Sequence, residues 1–305
     1  MPMGTTYALD VEAPYRLDLT VAVLRRFSTN VVDVTGPGGA YVRAFADGGA
    51  PAVVAVRQLS ETKLEAAFDG PPADAARDLA RIRRVIGADA RALHFERAAA
   101  ELPWLRETVL AMRGVRAPRY ATLWEACVNA IVYQAVSLFA ATAVLTRVIR
   151  ALSEPLAFAG TTLYAFPNAQ RFIACSDATL RAAGLSYAKI AALRSVADEL
   201  LSGRLDEAML EARSTPDASA RLCAIKGIGP WTAAVILLRG LGRLDLFPEK
   251  DSGVAKIIAS LGGPSIDLAQ TLRELGDERG MLYYYLLLGR LIAAGEVDPS
   301  AKPYP

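Results

Sequence analysis

Asp251 and the pair Gly227 and Gly229 are the residues whose types and spacing invite chemistry. They lie in LCAIKGIGPWTAAVILLRGLGRLDLFPEKDSGVAKII, residues 222–258, where Asp251 follows Gly229 by 22 positions. Gly-Ile-Gly between two apolar helical patterns reads as a tight turn, both glycines being free to take positive φ. Pro230 suits the first position of the second helix. The free N–H groups of Gly229 and of that helix's first turn would converge at the positive end of its dipole, which binds phosphate through backbone alone. A plain helical hairpin that binds nothing fits the same residues. Asp251 stands directly before SGVAKII and reads as a helix N-cap. A carboxylate fixed in that way also suits stabilising a developing cation or positioning a water.

The elements around these residues divide in kind. Up to about residue 95 the pattern is mixed. TTYALDV reads as a strand, and LTVAVLRRF as a short helix capped by Asp18 or Thr20. NVVDVTGPGGAYVRAFA reads as a hairpin about a Gly-Pro-Gly-Gly turn, PAVVAVRQ and KLEAAFD as further strands, and ADAARDLARIRRVIG as an amphipathic helix. From about Glu96 the pattern is almost entirely helical. The run Ala121 to Leu152 has 32 residues without Gly or Pro, too apolar for one exposed helix, and is split near Gln134–Ser137 with Ser137 capping the second half. Glycines 184, 203, 240 and 262 stand where helix ends are expected. The expected fold is α+β and mostly α: a small antiparallel sheet with helices, followed by two helical subdomains.

Composition narrows the function classes. With 53% hydrophobic and 22% charged residues the chain can bury a substantial core, and a net charge of +2 offers no bulk attraction to a polyanion. Cys127, Cys175 and Cys223 have no paired spacing of the zinc or iron–sulfur kind, so neither metal nor cofactor is expected, and a reduced intracellular setting is the simple reading. His94 is the sole histidine, which excludes catalysis by two. Asn129, Gln134 and Ser137 interrupt the longest apolar stretch and argue against a membrane span.

The hairpin LCAIKGIGPWTA, the aspartate of FPEKDSGVAKI and the earlier NAIVYQAVS together resemble the helix-hairpin-helix DNA glycosylase superfamily. Within it they are most similar to the 3-methyladenine DNA glycosylase II branch. APYRLDLTVAVLRRF resembles the opening of that branch's extra sheet domain, so the resemblance covers nearly the whole chain. It implies a mixed domain over 1–95 and a helical glycosylase region over 96–305. In that region 123–243 form the hairpin subdomain, and 96–122 with 244–305 form the second.

The resemblance also implies roles. Gly227, Ile228, Gly229 and Thr232 would grip one strand of duplex DNA, while Gln134 and Ala135 enter where a damaged nucleotide is turned out. Asp251 would face its sugar as the catalytic carboxylate. Trp231 and one or two of Tyr283, Tyr284 and Tyr285 would line the base pocket, since three consecutive residues cannot share one helical face. Gln134 reads equally as an amide tethering the helix break. Members that also cut the backbone carry a lysine where this chain has Trp231, which implies a monofunctional hydrolase without lyase activity. Lys226 and Lys250 lie off that position. Ala135 stands where a bulky wedge is common, Val235 where an aromatic faces the pocket, and Ser252 where a larger residue follows the aspartate. These departures imply a roomier pocket, or a wedge supplied elsewhere. The implied activity is excision of alkylated purines from double-stranded DNA by a monomer in the cytoplasm, at the nucleoid in a bacterium. Two readings stay open beside it: the same fold acting on deaminated or other damaged bases, and a non-catalytic protein that binds damaged DNA.

Overall fold

The computed structural model describes residues 4–46, 50–70, 72–90, 93–249, 251–262 and 266–301. Five strands form one antiparallel sheet: β1 (Thr6–Asp10), β2 (Val34–Thr35), β3 (Tyr41–Phe45), β4 (Ala52–Ser60) and β5 (Lys63–Phe68), in the order β1-β5-β4-β3-β2. The β2–β3 turn is the one the glycines foretell, with Gly38 and Gly39 at φ +67° and +77°. The helix expected over LTVAVLRRF runs Leu17–Arg25, but neither Asp18 nor Thr20 caps it. Arg16 precedes it in extended conformation, Asp18 pairs with Arg16, and Thr20 Oγ1 accepts from the Arg116 N–H at 3.0 Å.

The long apolar run is two helices, Leu123–Val132 and Leu138–Leu152, and Ser137 caps the second by accepting from Ala140 N at 3.2 Å. A second hairpin, β6 (Pro155–Phe158) and β7 (Thr161–Tyr164), which the sequence reading did not pick out, interrupts the almost entirely helical part beyond residue 96. Its Phe158 and Leu163 pack with Val34, Val42 and Val53 of the sheet. Gly240 does not end a helix. It sits in a π turn, Leu237–Leu241, where a Cβ would meet that of Ala126 at 2.8 Å, and Gly242 at φ +75° makes the stop.

Two apolar cores result. One joins the sheet to the helices Leu123–Val132, Tyr187–Leu201 and Pro230–Ile236; the other joins the helix Leu17–Arg25 to the helices Leu93–Ala100, Pro103–Ala111, Ser252–Gly262 and Met281–Ala293. The sheet is pinned to the first core by Arg43, which is buried and bonds Asp33 and Glu125 at 2.5 Å each. Burial raises the Glu125 carboxyl against the pull of Arg43. Such a network is costly to break, because any survivor is left as an uncompensated buried charge. Among the described residues no helix is long and apolar enough to cross a membrane, and no group of His, Cys, Asp or Glu could hold a metal ion.

Candidate active site

Between the two cores lies a cleft of about 800 Å³, with Asp251 on its wall. Asp251 precedes the helix Ser252–Gly262 and caps it: Oδ1 accepts from Gly253 N at 2.8 Å and Val254 N at 3.1 Å. The other oxygen, Oδ2, accepts from Trp231 Nε1 at 3.1 Å. Both oxygens are therefore oriented, and the half-buried carboxylate stays open to the cleft.

Trp231 is on the first turn of the helix Pro230–Ile236, which follows the hairpin. Gly227 has φ +92°, and a Cβ there would strike Ala192 Cβ at 2.3 Å, so this position requires glycine twice over. Gly229 does not take the positive φ open to it; it is extended at φ −98°, caps the helix without a side chain, and a Cβ there would stand in open space. Ile228 is buried in the core. Thr232 is buried too, and its Oγ1 accepts from Gln134 Nε2 at 2.6 Å. Neither side chain faces solvent.

The Gln134 amide donates also to Gly227 O at 3.0 Å, tethering the helix break to the hairpin. Lys189 Nζ donates to Val132 O at 2.7 Å and Gln134 O at 3.0 Å, satisfying carbonyls left over at the helix end, and burial lowers its pKa. Ala135 is exposed at the mouth of the cleft with φ +55°.

The tyrosine run is resolved by packing. Tyr283 lines the cleft, and burial together with the Asp251 charge pushes its hydroxyl up to about 12. Tyr284 and Tyr285 do not reach the cleft: both are wholly buried, with Tyr284 donating to Leu238 O at 3.2 Å and Tyr285 to Glu96 Oε1 at 3.3 Å. The remaining wall includes residues that sequence reasoning did not select: Arg26, Tyr120, Asn129, Tyr133 and Arg290. Lys256 and Val235 are also on it. Lys226 is exposed; Lys250 and the Ser252 side chain lie outside the described residues.

No family model matches the chain. A Mycobacterium tuberculosis protein named "Probable bifunctional transcriptional activator/DNA repair enzyme AlkA" is 34% identical over 197 residues, which is 64% of this chain and 38% of that protein. Escherichia coli DNA-3-methyladenine glycosylase 2 is 32% identical over 141 residues, 46% of this chain and 49% of that one. The chain thus spans about half the length, or less, of these curated relatives. Among solved structures, the 3-methyladenine DNA glycosylase of Archaeoglobus fulgidus covers 94% of this chain and 99% of its own, with a TM-score of 0.78 at 22% identity. In sequence the chain is thus similar to proteins named AlkA and DNA-3-methyladenine glycosylase, and it shares the fold of a solved 3-methyladenine DNA glycosylase.

Proposed function

We propose that the chain is a monofunctional DNA glycosylase that hydrolyses the N-glycosidic bond of alkylated purines turned out of double-stranded DNA. The observation that carries this reading is the carboxylate of Asp251, held by three N–H groups on the wall of a cleft beside the hairpin. As the bond to the base breaks, the sugar acquires oxocarbenium character, and a fixed anion beside it lowers the barrier without reorganising. An alkylated purine is already a good leaving group, so little acid catalysis is asked of the site. The half-buried end of the hairpin, at Gly229, where a Cβ would meet nothing, would present backbone N–H groups to a phosphate, which lets a nearly neutral chain hold DNA. Turning out the base costs a few kcal/mol, least for a damaged or poorly paired one. The domain limits at 95, 122 and 243 belong to the same reading, as does action as a monomer in the cytoplasm or nucleoid.

The test is release of free bases from methylated duplex DNA by wild type and Asp251→Asn. Asn retains a capping oxygen, so fold and DNA binding persist. Base release falls by about two to three orders of magnitude, the scale of removing one preorganised electrostatic contact. An active Asn variant would refute the role of Asp251. Borohydride trapping of a covalent DNA adduct would overturn the monofunctional assignment, and Lys256 on the cleft wall makes that control necessary.

A further inference from the structure

Three tyrosines stand on the wall of the cleft: Tyr120, Tyr133 and Tyr283. Two of their hydroxyls are engaged. Tyr120 OH accepts from Arg26 Nη2 at 2.9 Å, and Tyr133 OH shares a hydrogen bond of 2.7 Å with Thr142 Oγ1. Behind the wall, Tyr284 and Tyr285 donate to Leu238 O and Glu96 Oε1. Of these five, Tyr283 alone has no hydrogen-bond partner for its hydroxyl among the described residues. Its ring is fixed all the same, edge-on to Phe247 and to Tyr284 with centroids 6.4 and 6.3 Å apart. The anion that it faces, Asp251, already accepts from Gly253, Val254 and Trp231. Burial and that charge push the Tyr283 hydroxyl up to about 12, so it keeps its proton at neutral pH. A half-buried phenol whose proton goes to no acceptor of the protein is a donor open to whatever enters the cleft.

We propose that the Tyr283 hydroxyl donates a hydrogen bond to the departing base and so assists release of alkylated purines that carry no charge. The inference rests on the glycosylase reading above and names a second group for the same site. As the C1′–N9 bond breaks, its electron pair goes to the base. Water adds its oxygen to C1′, and one proton of that water is set free. A purine made cationic by methylation is merely neutralised by the electron pair, and the proton goes to solvent. An uncharged adduct such as 1,N6-ethenoadenine instead becomes an anion until it collects that proton. Asp251, itself negative, cannot stabilise such an anion, whereas an O–H donor can, and purines offer ring nitrogens that accept. The carboxylate then serves the sugar as it becomes positive, and the phenol serves the base as it becomes negative.

Single-turnover base release tests this on two duplexes, one holding 1,N6-ethenoadenine and the other 7-methylguanine. Wild type is compared with Tyr283→Phe, which keeps the ring and its edge contacts and loses only the hydroxyl. Tyr284→Phe is the control, since the hydroxyl it loses is already engaged in the core. The quantity read is the ratio of ethenoadenine release to 7-methylguanine release, in which effects on folding, DNA binding and stacking largely cancel. In Tyr283→Phe the ratio should fall at least about tenfold, the scale of one hydrogen bond to a charged group, and in Tyr284→Phe it should hold. An unchanged ratio in Tyr283→Phe, an equal fall in Tyr284→Phe, or a wild type that releases 7-methylguanine but no ethenoadenine overturns the inference and leaves the glycosylase reading standing. Release of neither base by wild type would refute that reading, and this inference with it.

Discussion

Trp231 Nε1 donates to Asp251 Oδ2 at 3.1 Å, so the aromatic wall of the cleft and its carboxylate are one hydrogen-bonded unit. The two residues come from different cores, Trp231 packing against the sheet-and-hairpin side and the Asp251 helix against the other. Any shift of one core against the other would stretch this bond. Trp231→Phe keeps a ring in the cleft and removes the donor. A hydrogen bond to a charged group contributes about 1.5–3 kcal/mol, so base release should slow by roughly 10- to 100-fold if the carboxylate then drifts. Single-turnover rates beside DNA affinity check it; a near-wild-type rate in Trp231→Phe with the loss confined to Trp231→Ala would assign the effect to stacking instead.

The two hairpin glycines separate fold from binding. Gly227→Ala forces a side chain into positive φ and against Ala192, and should lower stability by about 1–3 kcal/mol, read as a fall in Tm. Gly229→Ala meets neither obstacle, because φ is −98° and the Cβ points into open space. Its Tm should stay near wild type while duplex affinity weakens, the new methyl standing where a phosphate approaches. Unchanged affinity would remove Gly229 from the DNA contact.

Much of this site was legible because it is local. A glycine that must take positive φ, a carboxylate before an apolar helix and a serine at a helix break each declare themselves within a few residues, and Gly227, Asp251 and Ser137 all do so. The partners are not local. Arg26 meets Tyr120 across 94 positions, and nothing in LRRF distinguishes Arg26 from Arg25 until the chain turns inward. The motif names Ile228 and Thr232, but it does not tell that both side chains are buried, Ile228 in the hairpin turn and Thr232 on the helix that follows. The β6–β7 hairpin is faint because its strands have four residues each, and its turn pairs Gly160, at φ +81°, with Ala159, which gives no warning of its φ of +47°. Helical periodicity allowed only one or two of three consecutive tyrosines in the pocket; packing chose Tyr283.

That choice can be checked. Tyr284→Phe removes only a buried hydroxyl and leaves Leu238 O without this donor, which should cost about 1–3 kcal/mol in denaturant unfolding and leave base release unchanged. Tyr283→Ala should lower base release by about tenfold through the loss of one stacked ring, beside the stability lost with its packing against Phe247 and Tyr284. Loss of activity in folded Tyr284→Phe would put the wrong tyrosine on the wall.

The ionisation of Tyr283 supplies a test that needs no DNA. Its hydroxyl is held up to about 12 by burial and by the facing charge of Asp251, while an unfolded tyrosine titrates near about 10. The folded state therefore binds this proton more tightly than the unfolded one. A group raised in this way contributes stability that is fully present below the unfolded value and is lost as pH rises through the folded one. Unfolding free energy measured from pH 9 to 12 should thus fall for wild type, starting near about 10. Tyr15, Tyr284 and Tyr285 are also raised by burial and add to the same slope, so the quantity to read is the difference from Tyr283→Phe. That variant should fall less steeply over the window. In Asp251→Asn the charge holding the tyrosine neutral is gone, so the contribution of Tyr283 should shrink and end at lower pH. Parallel curves for wild type and Tyr283→Phe would mean that Tyr283 titrates as it does in the unfolded chain and feels neither the burial nor the carboxylate.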